Sequence, residues 1–381
     1  MDFNLNEEQE MLRKTVREFA ENEIKPIRQK IDEKEEFSYE ITQKMADMGF
    51  FGVLIPPEYG GMGMDYLSYI IIVEELSRVD GCQGATLAAA NSLGSSPIYL
   101  YGNEEQKKEF LPDLVAGKLW GFGLTEPDAG SDAGGTKTKA VKKGDEWVIN
   151  GSKIFITNAS SDVTIGSTIQ AVTGEKEEGK KEYTCFLVRQ DTPGYKTKVM
   201  HKKVTWRSSN TSEIYLDDVT VPDKDMLGKR GEGFHMMLET LDSGRLSIAA
   251  MGVGGAQGAF EAALNYAKER KQFGRPIGKF QVNAFKLADM ATQIEAARNL
   301  LYKACWLKDK GKPFGMEAAM SKLYSSEVMK MVADHAVQIY GGYGLMEEYP
   351  VAKFYRDQRL LEIGEGTSEM QRLVISRKLG L

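Results

Sequence analysis

The feature that most limits the fold is a change of texture. A β-rich block from about Thr136 to Val221 stands between two stretches that read as helix. Within it, Trp147–Asn150, Ile154–Thr157, Tyr183–Val188 and Ser212–Leu216 are short runs of β-branched and aromatic residues between turn signals, the pattern of a compact antiparallel sheet. Gly174–Lys181 is a charged stretch that suits an exposed hairpin tip. Ahead of the block, Asn6 and Gln9 form a polar start for a helix bearing Met11, Leu12, Val16 and Phe19 at helical spacing. A breaker, Ile55–Gly61, precedes a second helix over Tyr66–Val79, and Asn103 starts a third with Phe110, Leu111 and Leu114 on one face. After Pro222 helical periodicity runs over roughly 232–270, 279–310 and 313–340, then through a shorter pair. The expectation is an α+β chain: an N-terminal helical domain (1–118), a middle antiparallel β domain (119–228) and a C-terminal four-helix bundle (229–381). Gly252–Gly258 superficially resembles a dinucleotide loop, but no strand precedes it. Close helix packing accounts for it better, and a nicotinamide-binding domain is not supported.

Composition narrows the functions. Lys and Arg total 49 against 55 Asp and Glu, a net charge of −6, which argues against a nucleic-acid surface. Cys82, Cys185 and Cys305 are dispersed with no CxxC pair, and His201, His235 and His335 are scattered, so neither a disulfide framework nor a metal site is indicated. The start, Met1–Glu8, has no apolar signal core or Arg-rich leader, and no apolar run approaches membrane-spanning length. A cytoplasmic protein without membrane contact is expected.

Two glycine-rich segments carry the chemistry. In Glu362–Gln371, Glu365 lies between Gly364 and Gly366 just before a helical run. Flanking glycines let backbone and carboxylate approach a ligand closely, as a general base for a carbon-bound proton requires. The same segment also reads as a solvated turn, with Thr367 or Ser368 capping the next helix. In Gly121–Gly135, small residues leave backbone N–H groups and the hydroxyls of Thr125 and Ser131 free for an anionic or heteroaromatic ligand. Together these segments resemble the acyl-CoA dehydrogenase family, whose flavin loop reads like Leu124-Thr125-Glu126-Pro127-x-Ala129-Gly130-Ser131-Asp132. Asn150–Asn158, Glu269–Gly274 and Gln338–Gly344 extend the resemblance, in the family's order, over nearly the whole chain.

The resemblance implies an FAD enzyme that introduces an α,β double bond into an acyl-CoA. Glu365 removes the α-proton, and the β-hydrogen leaves as hydride to flavin N5. The thioester oxygen is held by a ribityl hydroxyl and the Glu365 backbone N–H. Some relatives carry the base just before the Arg of a Leu-Asp-x-x-Arg segment; here that segment is Leu241–Arg245 and the position is Gly244. Phe122, Leu124, Thr125, Ser131, Phe155 and Thr157 match positions lining the flavin. Arg270, Phe273, Gln281, Gln338, Gly341 and Gly342 match its dinucleotide half, often across a subunit interface, and Thr367 and Glu369 also match flavin-side positions. Ser131, Asn91, Asp242, Gly244, Arg245, Gly364 and Gly366 are the substrate-side candidates. Many relatives have Trp at position 155, so Phe keeps the stacking face and loses a donor.

A homotetramer and an electron-transferring flavoprotein as electron acceptor are expected on the same ground. The run Ala85–Leu93 has no cation, which disfavours a glutaryl substrate. Small residues at Gly364, Gly244 and Ala88–Ala90 suggest room for a branched, alicyclic or aryl-bearing acyl group, such as cyclohexanecarboxyl-CoA. A short or medium straight chain, an oxygen-using acyl-CoA oxidase, and a non-catalytic acyl-CoA- or flavin-binding protein are the alternatives.

Overall fold

A computed structural model describes residues 4–381. Met1–Phe3, part of the segment without a signal core, lie outside the described residues. Among the described residues seven α-helices come first: α1 (Glu7–Phe19), α2 (Arg28–Lys34), α3 (Tyr39–Asp47), α4 (Tyr66–Val79), α5 (Gly81–Ala88), α6 (Ser96–Tyr101) and α7 (Glu104–Val115). The starts of α1 and α7 are reciprocal capping boxes, in which Gln9 N donates to Asn6 Oδ1 at 2.8 Å and Gln106 N to Asn103 Oδ1 at 2.9 Å. A π-helical stretch, Ala89–Ser95, continues α5 and lies against the first strand.

The middle of the chain forms β1 (Leu119–Gly123), β2 (Lys139–Lys143), β3 (Glu146–Thr157), β4 (Thr164–Glu175), β5 (Lys181–Arg189), β6 (Tyr195–Val199), β7 (Thr211–Pro222) and β8 (Met226–Leu227). Their order is β6-β7-β3-β2-β4-β5-β8, with β1 added beside β4. The expected antiparallel sheet is in fact mixed. β1 runs parallel to β4, from Leu119 opposite Thr164 to Gly123 opposite Ile169, and β2 touches β4 in parallel at Lys139 and Val172. The β2–β3 hairpin intervenes between β1 and β4, and a connection of that length permits a parallel return.

The last third comprises α8 (Gly233–Glu269), a two-stranded turn of β9 (Lys271–Gln272) and β10 (Arg275–Pro276), α9 (Gln281–Asp309), α10 (Gly315–Tyr340), α11 (Pro350–Leu361) and α12 (Ser368–Lys378). Its glycine-rich stretch is a packing seam. A Cβ at Gly254 would stand 2.1 Å from Glu74 O of α4, and one at Gly258 would stand 2.0 Å from Arg78 O, so only glycine allows α8 this close to α4.

Polar contacts join the three blocks. Arg298 of α9 donates to Glu74 of α4 at 2.9 Å, Asn158 after β3 to Thr86 O at 2.9 Å, and Trp206 N to Asp357 of α11 at 2.9 Å. Asp32, Cys82 and Asp357 converge within 4.8 Å, but the Lys353 ammonium sits among them, 3.4 Å from Asp32 and 3.1 Å from Asp80. A lysine therefore supplies the countercharge there.

Candidate functional site

The Glu362–Gln371 segment turns sharply between α11 and α12. Gly364 N donates back to Leu360 O at 2.8 Å, and Glu365 (φ +52°) and Gly366 (φ +92°) then follow, both left-handed. A left-handed glutamate is uncommon and costs about 1 kcal/mol, so the surrounding structure must hold it. Two donors do so: the Gly366 carbonyl accepts Lys322 Nζ of α10 at 2.7 Å and Gln371 Nε2 at 2.9 Å. Thr367 caps α12, its hydroxyl accepting from Met370 N at 3.3 Å. The capping alternative thus holds for Thr367, while the solvated-turn alternative does not hold for Glu365.

Although Glu365 is only partly buried as a residue, its Oε2 is out of solvent and accepts no hydrogen bond. It lies in a notch of α8, where a Cβ on Gly244 would stand 1.9 Å from Oε2. The small residue at 244, read from sequence as spare width for an acyl group, is instead the space the carboxylate occupies. A side chain at 244 and the Glu365 carboxylate exclude one another, a steric reason for a base at one position or the other. Burial pushes the Glu365 carboxyl up to about 7, against the opposing charges of Lys322 and Arg245.

Arg245 is buried and pairs with Asp242 one turn earlier, leaving its Nε without a partner. Tyr66 and Tyr69 of α4 meet edge to face at 5.3 Å beside this part of α8; Tyr66 donates to Ser243 O at 2.7 Å. Asn91 is fully buried; its amide donates to Phe50 O and Leu87 O, and its Oδ1 has no partner. Ala88 and Ala90 belong to the packed core. A Cβ on Gly364 would press on Leu360 Cδ2 at 3.1 Å.

A second group lies on the sheet. Phe122 and Leu124 are buried, Thr125 and Thr157 half-buried and Ser131 exposed. Phe155 sits in a bulge of β3 opposite β7, with φ +61° and 62% of its surface exposed. Sequence reasoning passed over what steadies this face. Lys153, with no exposed side-chain surface, pairs with Glu126 at 2.7 Å, and Glu126 also accepts Lys137 N and Thr138 N. The paired charge holds the Glu126 carboxyl below its ordinary value despite burial.

A third group lines an open groove of about 620 Å³ at the end of α10: Arg270, Phe273, Gln338, Gly341 and Gly342. Phe273 tops the β9–β10 turn and is 92% exposed. Gln281, at the start of α9, and Glu369, on the outer face of α12, are exposed and not among its lining residues. None of the sheet candidates borders this groove either. Lys322 is a further residue that sequence reasoning missed. Its only signal was position, a charge on the helix face shared by Ala318, Ser325 and Met329, all buried.

A helical, a mixed-sheet and a helical block surround a carboxylate oxygen withdrawn from solvent. The acyl-CoA dehydrogenase N-terminal, middle and C-terminal domain models match residues 6–118, 121–219 and 231–380. The chain belongs to the acyl-CoA dehydrogenase family and is an FAD-dependent enzyme. It is 51% identical to a probable acyl-CoA dehydrogenase of Bacillus subtilis and 48% identical to a short-chain specific acyl-CoA dehydrogenase of Clostridium acetobutylicum, with 100% of both chains covered in each case. Among solved structures it is similar to butyryl-CoA dehydrogenase from Megasphaera elsdenii (43% identity, TM-score 0.96, 100% of both chains covered). It is equally similar to a chain in a structure of the electron-transferring flavoprotein of Acidaminococcus fermentans (45% identity, TM-score 0.96, 100% and 99% covered). Among the described residues no helix is long and apolar enough to cross a membrane.

Proposed function

We propose that this chain desaturates a short-chain acyl-CoA between Cα and Cβ, with Glu365 as the base. The observation that carries the reading is the Glu365 Oε2: desolvated, free of hydrogen bonds, and seated in the Gly244 notch. A carboxyl near 7 is matched to proton transfer at neutral pH. The α C–H bond breaks, its proton goes to the Glu365 carboxylate, its electron pair becomes the new double bond, and the β-hydrogen departs with the electrons of its own bond. FAD supplies the acceptor for that hydride when bound. Asp242 and Arg245 would hold the polar arm of the thioester.

The chain's residues fit FAD. Phe155 offers an exposed ring beside Thr125 and Thr157 for the flavin, while Arg270 offers a cation for a pyrophosphate. A Cβ placed on Gly341 or Gly342 would meet no atom within 4 Å, so a ligand can approach that backbone. None of the sheet set lines the groove that holds Arg270, Gly341 and Gly342, which supports a homo-oligomer, the expected homotetramer, with sites completed by a neighbour. An electron-transferring flavoprotein is the proposed acceptor, supported by the similarity to a chain in a structure of such a protein.

The short-chain reading is supported by the similarity to short-chain and butyryl-CoA enzymes and by the filling of the space near the base. Gly244 is taken by Glu365, and Ala88 and Ala90 are packed in the core. The branched, alicyclic or aryl reading keeps two supports: Gly364, whose missing side chain faces Leu360, and similarity at 44% and 42% identity to a caffeyl-CoA reductase subunit of Acetobacterium woodii and a 3-(aryl)acrylate reductase of Clostridium sporogenes. Anaerobic flavin bleaching with butyryl-, hexanoyl-, isobutyryl-, cyclohexanecarboxyl- and phenylpropionyl-CoA separates the two readings. Faster bleaching by the cyclic or aryl thioesters overturns the short-chain reading. Peroxide formed in air at the rate of turnover identifies an oxidase, and no bleaching by any of them identifies a binding protein.

A further inference from the structure

Lys322 is fully buried on α10, yet it makes no ion pair within 4.0 Å of any carboxylate among the described residues. Its Nζ donates to the Gly366 carbonyl at 2.7 Å. Burying an ammonium for one carbonyl is unfavourable, and a methionine would fill the same space at lower cost. The lysine reaches the residue next to Glu365 without binding its carboxylate. A direct ion pair would have occupied the Oε2 that is left free. Among charged neighbours, Glu365 gives Lys322 its largest electrostatic support, and Lys322 gives Glu365 its largest.

We propose that Lys322 is a positioning residue for the proton-abstraction step: it clamps Gly366 so that Glu365 keeps its left-handed turn, and it keeps a positive charge near the carboxylate without occupying it. This rests on Glu365 being the base. The groups facing the pair are Arg245 from α8, Tyr66 and Tyr69 from α4, Glu362 at the end of α11 and Glu369 on α12. Burial keeps both tyrosines neutral far above neutral pH, and Arg245 is ion-paired with Asp242. Glu365, raised to about 7 by burial, and Lys322, lowered to about 8 chiefly by burial, both titrate near neutrality.

The test is the rate of anaerobic flavin reduction by butyryl-CoA from pH 5.5 to 9 in FAD-loaded wild type, Lys322→Met, Lys322→Gln, Lys322→Arg and Glu365→Gln. Removing a positive charge raises the base's pKa, so the acid limb moves to higher pH. Both neutral variants should be about tenfold slower at pH 6 and within a few fold of wild type at pH 9, since moving the limb by about one pH unit changes the rate about tenfold below it. Lys322→Arg should keep the wild-type limb, and Lys322→Gln, retaining a donor, should reduce flavin faster at pH 9 than Lys322→Met. An unmoved limb in an FAD-loaded neutral variant overturns the proposal. If neither neutral variant loads FAD, Lys322→Arg decides, and a limb displaced upward despite the retained charge overturns it. Rapid reduction by Glu365→Gln overturns instead the reading of Glu365 as base.

Discussion

Replacing Glu365 by Gln should abolish flavin reduction while making the protein more stable, and the size of that gain follows from the site. The carboxyl titrates at about 7 in the folded protein because it is buried, against 4.5 for the unfolded chain. Between those values the unfolded state has lost the proton and the folded state keeps it, so stability falls as pH rises through this window. Wild type carries no such penalty below about pH 4.5 and the whole of it above 7. The gap between the two values corresponds to up to about 3 kcal/mol, each pH unit of it being worth about 1.36 kcal/mol. Glu365→Gln removes the titration at nearly constant shape. Urea unfolding of both proteins at pH 5 and pH 8, with equal excess FAD, should show the variant's advantage growing by roughly 2–3 kcal/mol between the two pH values. A constant difference would mean that the carboxylate is solvated, and the account of a desolvated base would be wrong.

Three further outcomes follow from the geometry. Gly244→Ala puts a methyl 1.9 Å from Oε2 and should lower kcat about a hundredfold with FAD still bound, the usual effect of an ångström of misplacement; unchanged turnover would show that the notch does not seat the base. Glu126→Gln leaves the buried Lys153 without its carboxylate and should cost about 3–5 kcal/mol in urea unfolding, with weaker FAD retention. Phe273→Asp places a charge on a 92% exposed ring and should shift sedimentation toward smaller species with loss of flavin; an intact, fully loaded assembly would remove Phe273 from the interface.

Much of this chain is legible locally. Asn6 with Gln9 and Asn103 with Gln106 announce helix starts because a capping box closes within four residues, and the alternating runs of the sheet need only their own turns. The three blocks, the order of the motifs and the glutamate between two glycines all follow from neighbours in sequence. The parallel approach of β1 to β4 does not, since strand pairing depends on what else the sheet must cover. Nor does the meaning of Gly244, which reads as an empty position until the Glu365 carboxylate is seen to fill it from another helix junction. Lys322 and Glu126 are of the same kind. A charge in sequence has no assigned environment, and only folding decides whether water, an opposite charge or a lone carbonyl surrounds it. Residue types and local order were therefore set by the sequence alone. The desolvation that raises Glu365, and the lysine held beside it, arise from contacts between segments far apart in the chain.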